Sequence, residues 1–390
     1  MRIVHNITRL IVGGAQENTL LSCQGQHEHG HDVTLITGPP LGPEGSLMPA
    51  ALAGGYRVEL FDQMRRSILP GKDWLTYRYL VSHLKDLKPD VVHTHSSKAG
   101  IIGRAAAKKA SVPAIIHTIH GLAFTASTHA GVNGFYKFLE RRVAPMTDRI
   151  ICVADAMRDQ SLAAGIGRAE QYVTIYSGMN TEPFLNPPVS RELVRQRLGL
   201  ETHHIAVGTI ARLFDLKGHD DLLDIAPAIC AKLPNLRFLW VGDGSLRASF
   251  EERMNAMGLR DRFILTGLVP PAQVPELTNA IDILVHPSRR EGLARALPQA
   301  ALAGKPAITY DIDGNKEALL DAQSGYILPP FDKDRLARAI EQLASDPALR
   351  QEMGRRGREF AFGRFDAKVM VNALERLYSE ITATGHPRRR

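Results

Sequence analysis

The run Asp282-Ile283-Leu284-Val285-His286-Pro287-Ser288-Arg289-Arg290-Glu291-Gly292-Leu293-Ala294-Arg295-Ala296-Leu297-Pro298-Gln299-Ala300, continuing to Ala303-Gly304-Lys305-Pro306, reads as strand end, loop, helix and next strand. The apolar strand stops at His286-Pro287. Gly292 lets the backbone approach a ligand closely, and Pro298 is tolerated only near a helix start. Gly304 stops the helix, with Pro306 just beyond it. The amides of Leu293, Ala294 and Arg295 are then expected to be the unpaired donors of the helix N-terminus, a seat for a diphosphate. A carboxylate at Glu291 beside that seat is unfavourable unless it accepts hydrogen bonds from hydroxyls. Sugar hydroxyls suit it.

The same alternation of short apolar runs and helical stretches extends in both directions. Seven strand candidates fall between Arg2–Thr8 and Tyr172–Gly178, and six between Ile205–Arg212 and Tyr326–Pro329. Many are continuous apolar runs, the pattern of parallel strands covered by helices on both faces. A proline-rich connector from Met179 to Ser190 separates the two series. The expectation is an α/β protein with two doubly wound domains facing across a cleft, residues 1–180 and 191–364. An amphipathic helix follows over 365–383, with Val369, Ala373, Leu377 and Ile381 at helical spacing and Met370 and Leu374 alongside. Ligands of such sheets bind beyond the carboxyl ends of the strands, so the cleft is where they are expected.

Composition narrows the class. With 390 residues, 44% hydrophobic and 23% charged, the chain is globular, not disordered, collagenous or coiled coil. No apolar run approaches the roughly 20 residues needed to span a bilayer, and the N-terminus turns polar too soon for a secretory signal. The cysteines Cys23, Cys152 and Cys230 lie far apart and read as buried free thiols of a reducing cytoplasm. The net charge of +7 is uneven: residues 1–180 hold 19 Lys+Arg against 14 Asp+Glu, the remainder 29 against 27. A phosphorylated substrate or anionic lipid surface fits that excess, as does a merely positive surface. A nucleic-acid partner is disfavoured by 6% aromatic content and the lack of a stacking motif. The Arg388-Arg389-Arg390 tail is expected to be disordered.

Several chemistries are excluded by missing motifs. No strand is followed by G-x-G-x-x-G, since Gly242-Asp243-Gly244 has Arg247 where the third glycine belongs. Walker, H-E-x-x-H and G-x-S-x-G patterns are missing as well. What remains is a set of cations and glycines at strand ends. In Gly208-Thr209-Ile210-Ala211-Arg212-Leu213-Phe214-Asp215-Leu216-Lys217-Gly218, a strand leads to Arg212 and a helix start follows Lys217. Arginine offers a two-pronged grip and lysine a point charge, the pairing a diphosphate leaving group requires, although the pattern also occurs on plain surfaces. Gly13 and Gly14 follow the first strand and open a helix, which allows close backbone approach to phosphate or a simple turn. His120 ends an apolar strand and either faces the cleft or serves structure. His93 and His95 lie two apart on a strand and point the same way. With Lys98 they line an acceptor site or support the core, and Gln16 is a further acceptor-side candidate. The tract His27-Glu28-His29-Gly30-His31 reads as a helix-to-strand turn, and no metal site is assigned to it.

Taken together these pieces resemble the GT-B retaining glycosyltransferases of glycosyltransferase family four, over essentially the whole chain. The resemblance rests on Gly13-Gly14-Ala15-Gln16, His93-Thr94-His95-Ser96-Ser97-Lys98-Ala99-Gly100, His117-Thr118-Ile119-His120-Gly121, Arg212 with Lys217-Gly218, Glu291-Gly292-Leu293 and Asp313-Gly314-Asn315-Lys316-Glu317. It implies a nucleotide-sugar donor, UDP-linked, held mainly by the second domain, and an acceptor that is a saccharide or lipid-linked. Arg212 and Lys217 would bind the diphosphate, Glu291 a sugar hydroxyl, and the amides after Gly292 sugar and phosphate. The Gly14 loop would close over the phosphates, and His120 would reach the donor sugar. Gly208, Leu293 and Ala294 complete the donor side. The terminal helix would cross back to the first domain. One departure stands out: the family's second glutamate, which grips the ribose, is Gln299 here. An amide oxygen still accepts from a hydroxyl, so altered ribose binding is implied. The implied chemistry needs neither cofactor nor metal: cations stabilise the departing diphosphate, and front-face attack retains the anomeric configuration. A nucleotide-sugar 2-epimerase on the same architecture is the alternative.

Overall fold

The computed structural model describes residues 1–42, 45–124 and 129–383, so the arginine tail, expected to be disordered, lies outside the described residues. The first sheet contains β1 (Arg2–Ile7), β2 (Asp32–Thr37), β3 (Arg57–Leu60), β4 (Val91–His95), β5 (Ala114–Ile119), β6 (Arg149–Cys152) and β7 (Tyr172–Thr174), in the order β3-β2-β1-β4-β5-β6-β7. The second contains β8 (Ile205–Ile210), β9 (Leu236–Val241), β10 (Phe263–Leu265), β11 (Ile283–His286), β12 (Ala307–Tyr310) and β13 (Gly325–Leu328), in the order β10-β9-β8-β11-β12-β13. Neighbouring strands pair in parallel throughout, as in the register Leu284↔Gly208 and His5↔His93. These are two Rossmann-like sheets, as the strand patterning predicted. Each reverses its winding once, between β1 and β4 and between β8 and β11. Loops leaving the strands on either side of such a reversal diverge, which opens a crevice at the carboxyl ends.

Most strands stop a little before their apolar runs do, because the last residues leave the ladder to line loops. Thr8 is one case: its hydroxyl lies 2.8 Å from Ser96 Oγ and accepts from the Ala99 amide at 3.2 Å. Close packing of helix on sheet also uses small residues. A Cβ on Gly100 would lie 2.4 Å from His117 Cε1, so the helix Ser97–Lys109 sits nearer the sheet than a side chain permits.

The chain divides into two compact units. One comprises Met1–Met179 with the segment from Asp366 on; the other is Asn180–Phe365. The terminal helix Ala367–Ala383 therefore belongs to the first unit. It buries Met370, Val371, Leu374, Leu377 and Tyr378 against Ile3, Val91, Ala114 and Ile116. The expected apolar stripe is rotated: Val369 is 44% exposed, and Val371 and Tyr378 take the inner face. His31 ties the helix down, its Nε2 2.7 Å from Glu375 Oε2, so the histidine tract ending at His31 serves as the turn and anchor of this contact. In the second unit the core is built from Val207, Leu222, Phe238, Trp240, Ile283, Val285 and Ile308 on β8, β9, β11, β12 and the covering helices. Cys23, Cys152 and Cys230 are buried and unbridged. Among the described residues no helix is long and apolar enough to cross a membrane.

The first unit also buries imidazoles. His5, His93, His95 and His117 are each at most 3% exposed. Burial pushes His5 down to about 4 and His93, His95 and His117 well below the ordinary histidine value. The unfolded chain takes up protons near pH ~6.5, where these native rings do not. Stability is therefore present above that pH and falls as the pH drops from there towards the native values. Each such histidine contributes a slope of at most about 1.4 kcal/mol per pH unit. Thermal melts between pH 7.5 and pH 5 should show the transition temperature dropping before any carboxylate titrates. A flat profile over that range would mean that the four rings are not held neutral.

Candidate active site

The loops that leave β8 and β11, on either side of the second reversal, carry the charged groups. Beyond β8 the chain bends through Leu216 (φ +68°) and Gly218 (φ +75°). A Cβ on Gly218 would lie 1.9 Å from the Pro287 carbonyl oxygen, so only glycine lets this loop rest directly on the chain leaving β11. Ser288 Oγ and the Arg289 amide both donate to the Leu216 carbonyl, at 3.0 and 2.8 Å. The two loops are thus locked together. Lys217 Nζ donates to Glu291 Oε1 at 2.5 Å, and His286 Nε2 lies 2.9 Å from the same oxygen. The Glu291 amide donates to Asp313 Oδ2 at 2.8 Å, which fixes the backbone under the carboxylate.

The Lys217 and Glu291 side chains are only 19% and 14% exposed. Burial would by itself raise the Glu291 carboxyl, but the Lys217 ammonium and His286 outweigh it and hold the group well below the usual carboxylate range. Glu291 is therefore an anion, able only to accept hydrogen bonds. Arg212 stands five residues before Lys217, exposed, with its guanidinium 4.8 Å over the Phe214 ring.

Two donor-side expectations need correction. Gly208 does not face a ligand: it lies inside β8, where a Cβ would meet Ile281 Cγ2 at 2.4 Å, so its missing side chain serves packing. The Leu293, Ala294 and Arg295 amides do not belong to a first helical turn. The helix is Ala296–Leu302 with Arg295 as its cap, and Leu297 N already donates to the Ala294 carbonyl. Pro298 sets this start, because it has no N–H to give and must sit in the first turn. The amides of Gly292 to Arg295 therefore lie in the bend before the helix. Leu293 and Ala294 have buried side chains, which leaves only their backbone to meet a ligand. Gln299 is half-buried on the helix, and Gly304 (φ +69°) ends it, with Lys305 N closing onto the Ala300 carbonyl at 2.8 Å.

In the first unit, Gly13 caps the helix Gly14–Glu28, and Gln16 folds back over it: a Cβ on Gly13 would lie 2.8 Å from Gln16 Oε1. Two acceptor-side expectations also change. Lys98 is committed to the protein, 2.5 Å from Asp73 Oδ1 and donating to the Ser67 carbonyl. His95 is fully buried and lines no open surface. It lies beneath His120, with His95 Nδ1 3.1 Å from His120 Nε2. His120 follows β5 and is half-buried. His5, His93 and His95 each offer one ring nitrogen within 4.8 Å of the other two. All six ring nitrogens of the three residues have protein partners. His93 reaches Tyr378 Oη at 2.5 Å and Thr118 Oγ1 at 2.6 Å, and His5 reaches His95 at 2.9 Å and Gln26 at 2.7 Å.

Sequence reasoning missed His286, Asp313 as a backbone tether, and the His5–Gln26 contact. For His286 a signal existed: a histidine closing a buried strand five residues before Glu291. Nothing local marks Gln26 or Asp313, whose partners are 21 and 22 residues away.

Two family models match the chain: "Glycosyltransferase Family 4" over residues 12–183 and "Glycosyl transferases group 1" over 190–360. The chain is 27% identical over 384 residues to the UDP-Gal:alpha-D-GlcNAc-diphosphoundecaprenol alpha-1,3-galactosyltransferase of Escherichia coli, covering 98% of this chain and 97% of that one. It is also 27% identical to the putative glycosyltransferase EpsD of Bacillus subtilis (strain 168), over 81% of this chain and 83% of that one. Among solved structures, Anabaena HepE in complex with UDP superposes with a TM-score of 0.81 at 22% identity, covering 97% of this chain and all of that one. The matched segments take in every strand of the two sheets except β1 and include the Lys217 and Glu291 loops, and on that ground the chain belongs to the GT-B glycosyltransferases of family four.

Proposed function

We propose that the enzyme moves a hexosyl or N-acetylhexosaminyl group from a UDP-linked donor to an acceptor hydroxyl, with retention at the anomeric carbon and without a metal ion. The observation that carries this reading is the buried Lys217–Glu291 pair at the second switch point. Each group is the other's counter-ion until a ligand replaces it. A nucleotide sugar does so in one step: its diphosphate takes Lys217 and Arg212, and its sugar hydroxyls donate to Glu291.

The bond from the anomeric carbon to the β-phosphate oxygen breaks, and its electron pair stays on that oxygen, where the two cations meet it. The acceptor oxygen bonds to the same face of the anomeric carbon. Its proton passes to the departing phosphate oxygen, which balances the step without a protein nucleophile. Cations placed before the charge develops need no reorganisation, the main source of such rate enhancement. Gly13, Gly14 and the amides from Gly292 to Arg295 are assigned to phosphate and sugar, Gln299 to the ribose, and His120 to a donor-sugar hydroxyl. The E. coli relative is named for a UDP-Gal donor and a diphosphoundecaprenol-linked acceptor, and HepE binds UDP. Both support a UDP donor, and the name of the E. coli relative also supports a saccharide or lipid-linked acceptor. The basic excess of the first half suits such an anionic acceptor, met peripherally at the cytoplasmic face of a membrane.

Lys217→Ala and Glu291→Gln should each lower kcat/KM by roughly two to three orders of magnitude, as loss of one preorganised charge does. Each single variant also leaves a partner unmatched in a buried site, so each should melt earlier than the parent. The double variant should regain stability and no activity. Turnover of Lys217→Ala at the parental rate would remove the lysine from the mechanism.

A panel of nucleotide sugars, scored by melting temperature, should single out a UDP sugar, and EDTA should leave the transfer rate unchanged. Incubation with donor alone should return the same sugar; an isomerised one would make the chain an epimerase instead.

A further inference from the structure

Four side chains from four elements form one unbroken line in the first unit. Gln26 lies on the helix Gly14–Glu28, His5 on β1, His95 at the end of β4, and His120 just after β5. Gln26 Oε1 is 2.7 Å from His5 Nε2, His5 Nδ1 is 2.9 Å from His95 Nε2, and His95 Nδ1 is 3.1 Å from His120 Nε2. The rings lie nearly parallel, His5 to His95 at 17° and His95 to His120 at 27°. Gln26, His5 and His95 are completely buried. We propose that Gln26, His5 and His95 are positioning residues that fix His120 with its proton on Nε2, so that Nδ1 is the nitrogen it turns to a sugar hydroxyl.

The direction follows from the buried end of the line. An amide oxygen can only accept, so the proton on His5 lies on Nε2. A neutral imidazole has one N–H, so His5 Nδ1 accepts, and the proton of His95 is on Nε2. By the same step His95 Nδ1 accepts from His120 Nε2–H. Burial keeps His5 and His95 from taking a second proton, which would break this order. The line ends on an amide that neither gains nor loses a proton. It therefore orients His120 and does not conduct protons away. Such buried partners set the tautomer and ring angle of a working histidine, and where the histidine holds a metal their loss costs about 10–100-fold.

This inference rests on the assignment of His120 to the donor sugar, and the test separates the two. In the 15N-histidine-labelled full chain, NMR should show His120 as the neutral Nε2–H tautomer, with its signals identified by their loss in His120→Gln. His95→Leu removes the acceptor and should give mixed tautomers at His120. With it, kcat should fall about 10–100-fold while KM for the donor changes little. His95→Asn, which returns an acceptor oxygen near the lost Nδ1, should recover most of the rate. Gln26→Met severs the line at its far end and should mix the tautomers even if His95→Leu does not fold. An Nδ1–H tautomer in the parent, or an unaltered tautomer in both His95→Leu and Gln26→Met, overturns the proposal. Full activity in His120→Gln, with the tautomer as assigned, would overturn the sugar assignment and with it the functional role of the relay, leaving only its geometry.

Discussion

A carboxylate and an ammonium held out of water are tolerated only as a pair, and the second unit is arranged to keep one such pair. Lys217 and Glu291 are separated by 74 residues and are brought to 2.5 Å by two loops that rest on each other. The contact exists because Gly218 has no side chain to strike the Pro287 carbonyl and because Leu216 offers its carbonyl to Ser288 and Arg289. His286 and Asp313 then hold the carboxylate and its backbone from below. Without that support the two charges would separate into water, where each is worth little to a ligand. Held together, they offer a cation to an anionic ligand and a carboxylate that can only accept hydrogen bonds.

The position of the pair follows from topology. Parallel strands require crossover helices, and a sheet that winds first one way and then the other leaves diverging loops at the reversal. In the second sheet those loops follow β8 and β11, and they are the ones that bear Lys217 and Glu291. The first sheet reverses between β1 and β4, and there the Gly13-Gly14 turn and the buried histidines gather. The two halves differ in character. One presents charge, while the other places neutral imidazoles in a dry interior where hydrogen bonding decides which nitrogen carries the proton.

Much of this was legible beforehand because it is local. Mostly apolar runs such as Asp282–Val285 and Ala114–Ile119 read as buried parallel strands, and Gly304-Lys305-Pro306 reads as a helix end. Where the reading failed, a neighbour from elsewhere in the chain had decided the matter. Gly208 resembled a ligand-facing glycine until Ile281 was seen to fill its place. Lys98 was a candidate for the acceptor side, but Asp73 lies beside it. His95 sits in a motif rich in polar residues, yet β1 and the helix Gly14–Glu28 close over it completely. The donor amides were misplaced by a few residues because the chain from Gly292 to Arg295 runs as a bend before the helix Ala296–Leu302 begins.

The order of residues alone determined the fold class, the thirteen strands among the described residues and the identity of the ionic groups. Those features depend on backbone preference and on the alternation of apolar and polar side chains, which act over a few positions. Only the tertiary structure decided which ions meet, which glycines face protein, and which nitrogen of His120 is turned inward. Hydrogen bonds and charge pairs act over a few ångströms of space, and distance along a chain says nothing about that until the chain has folded.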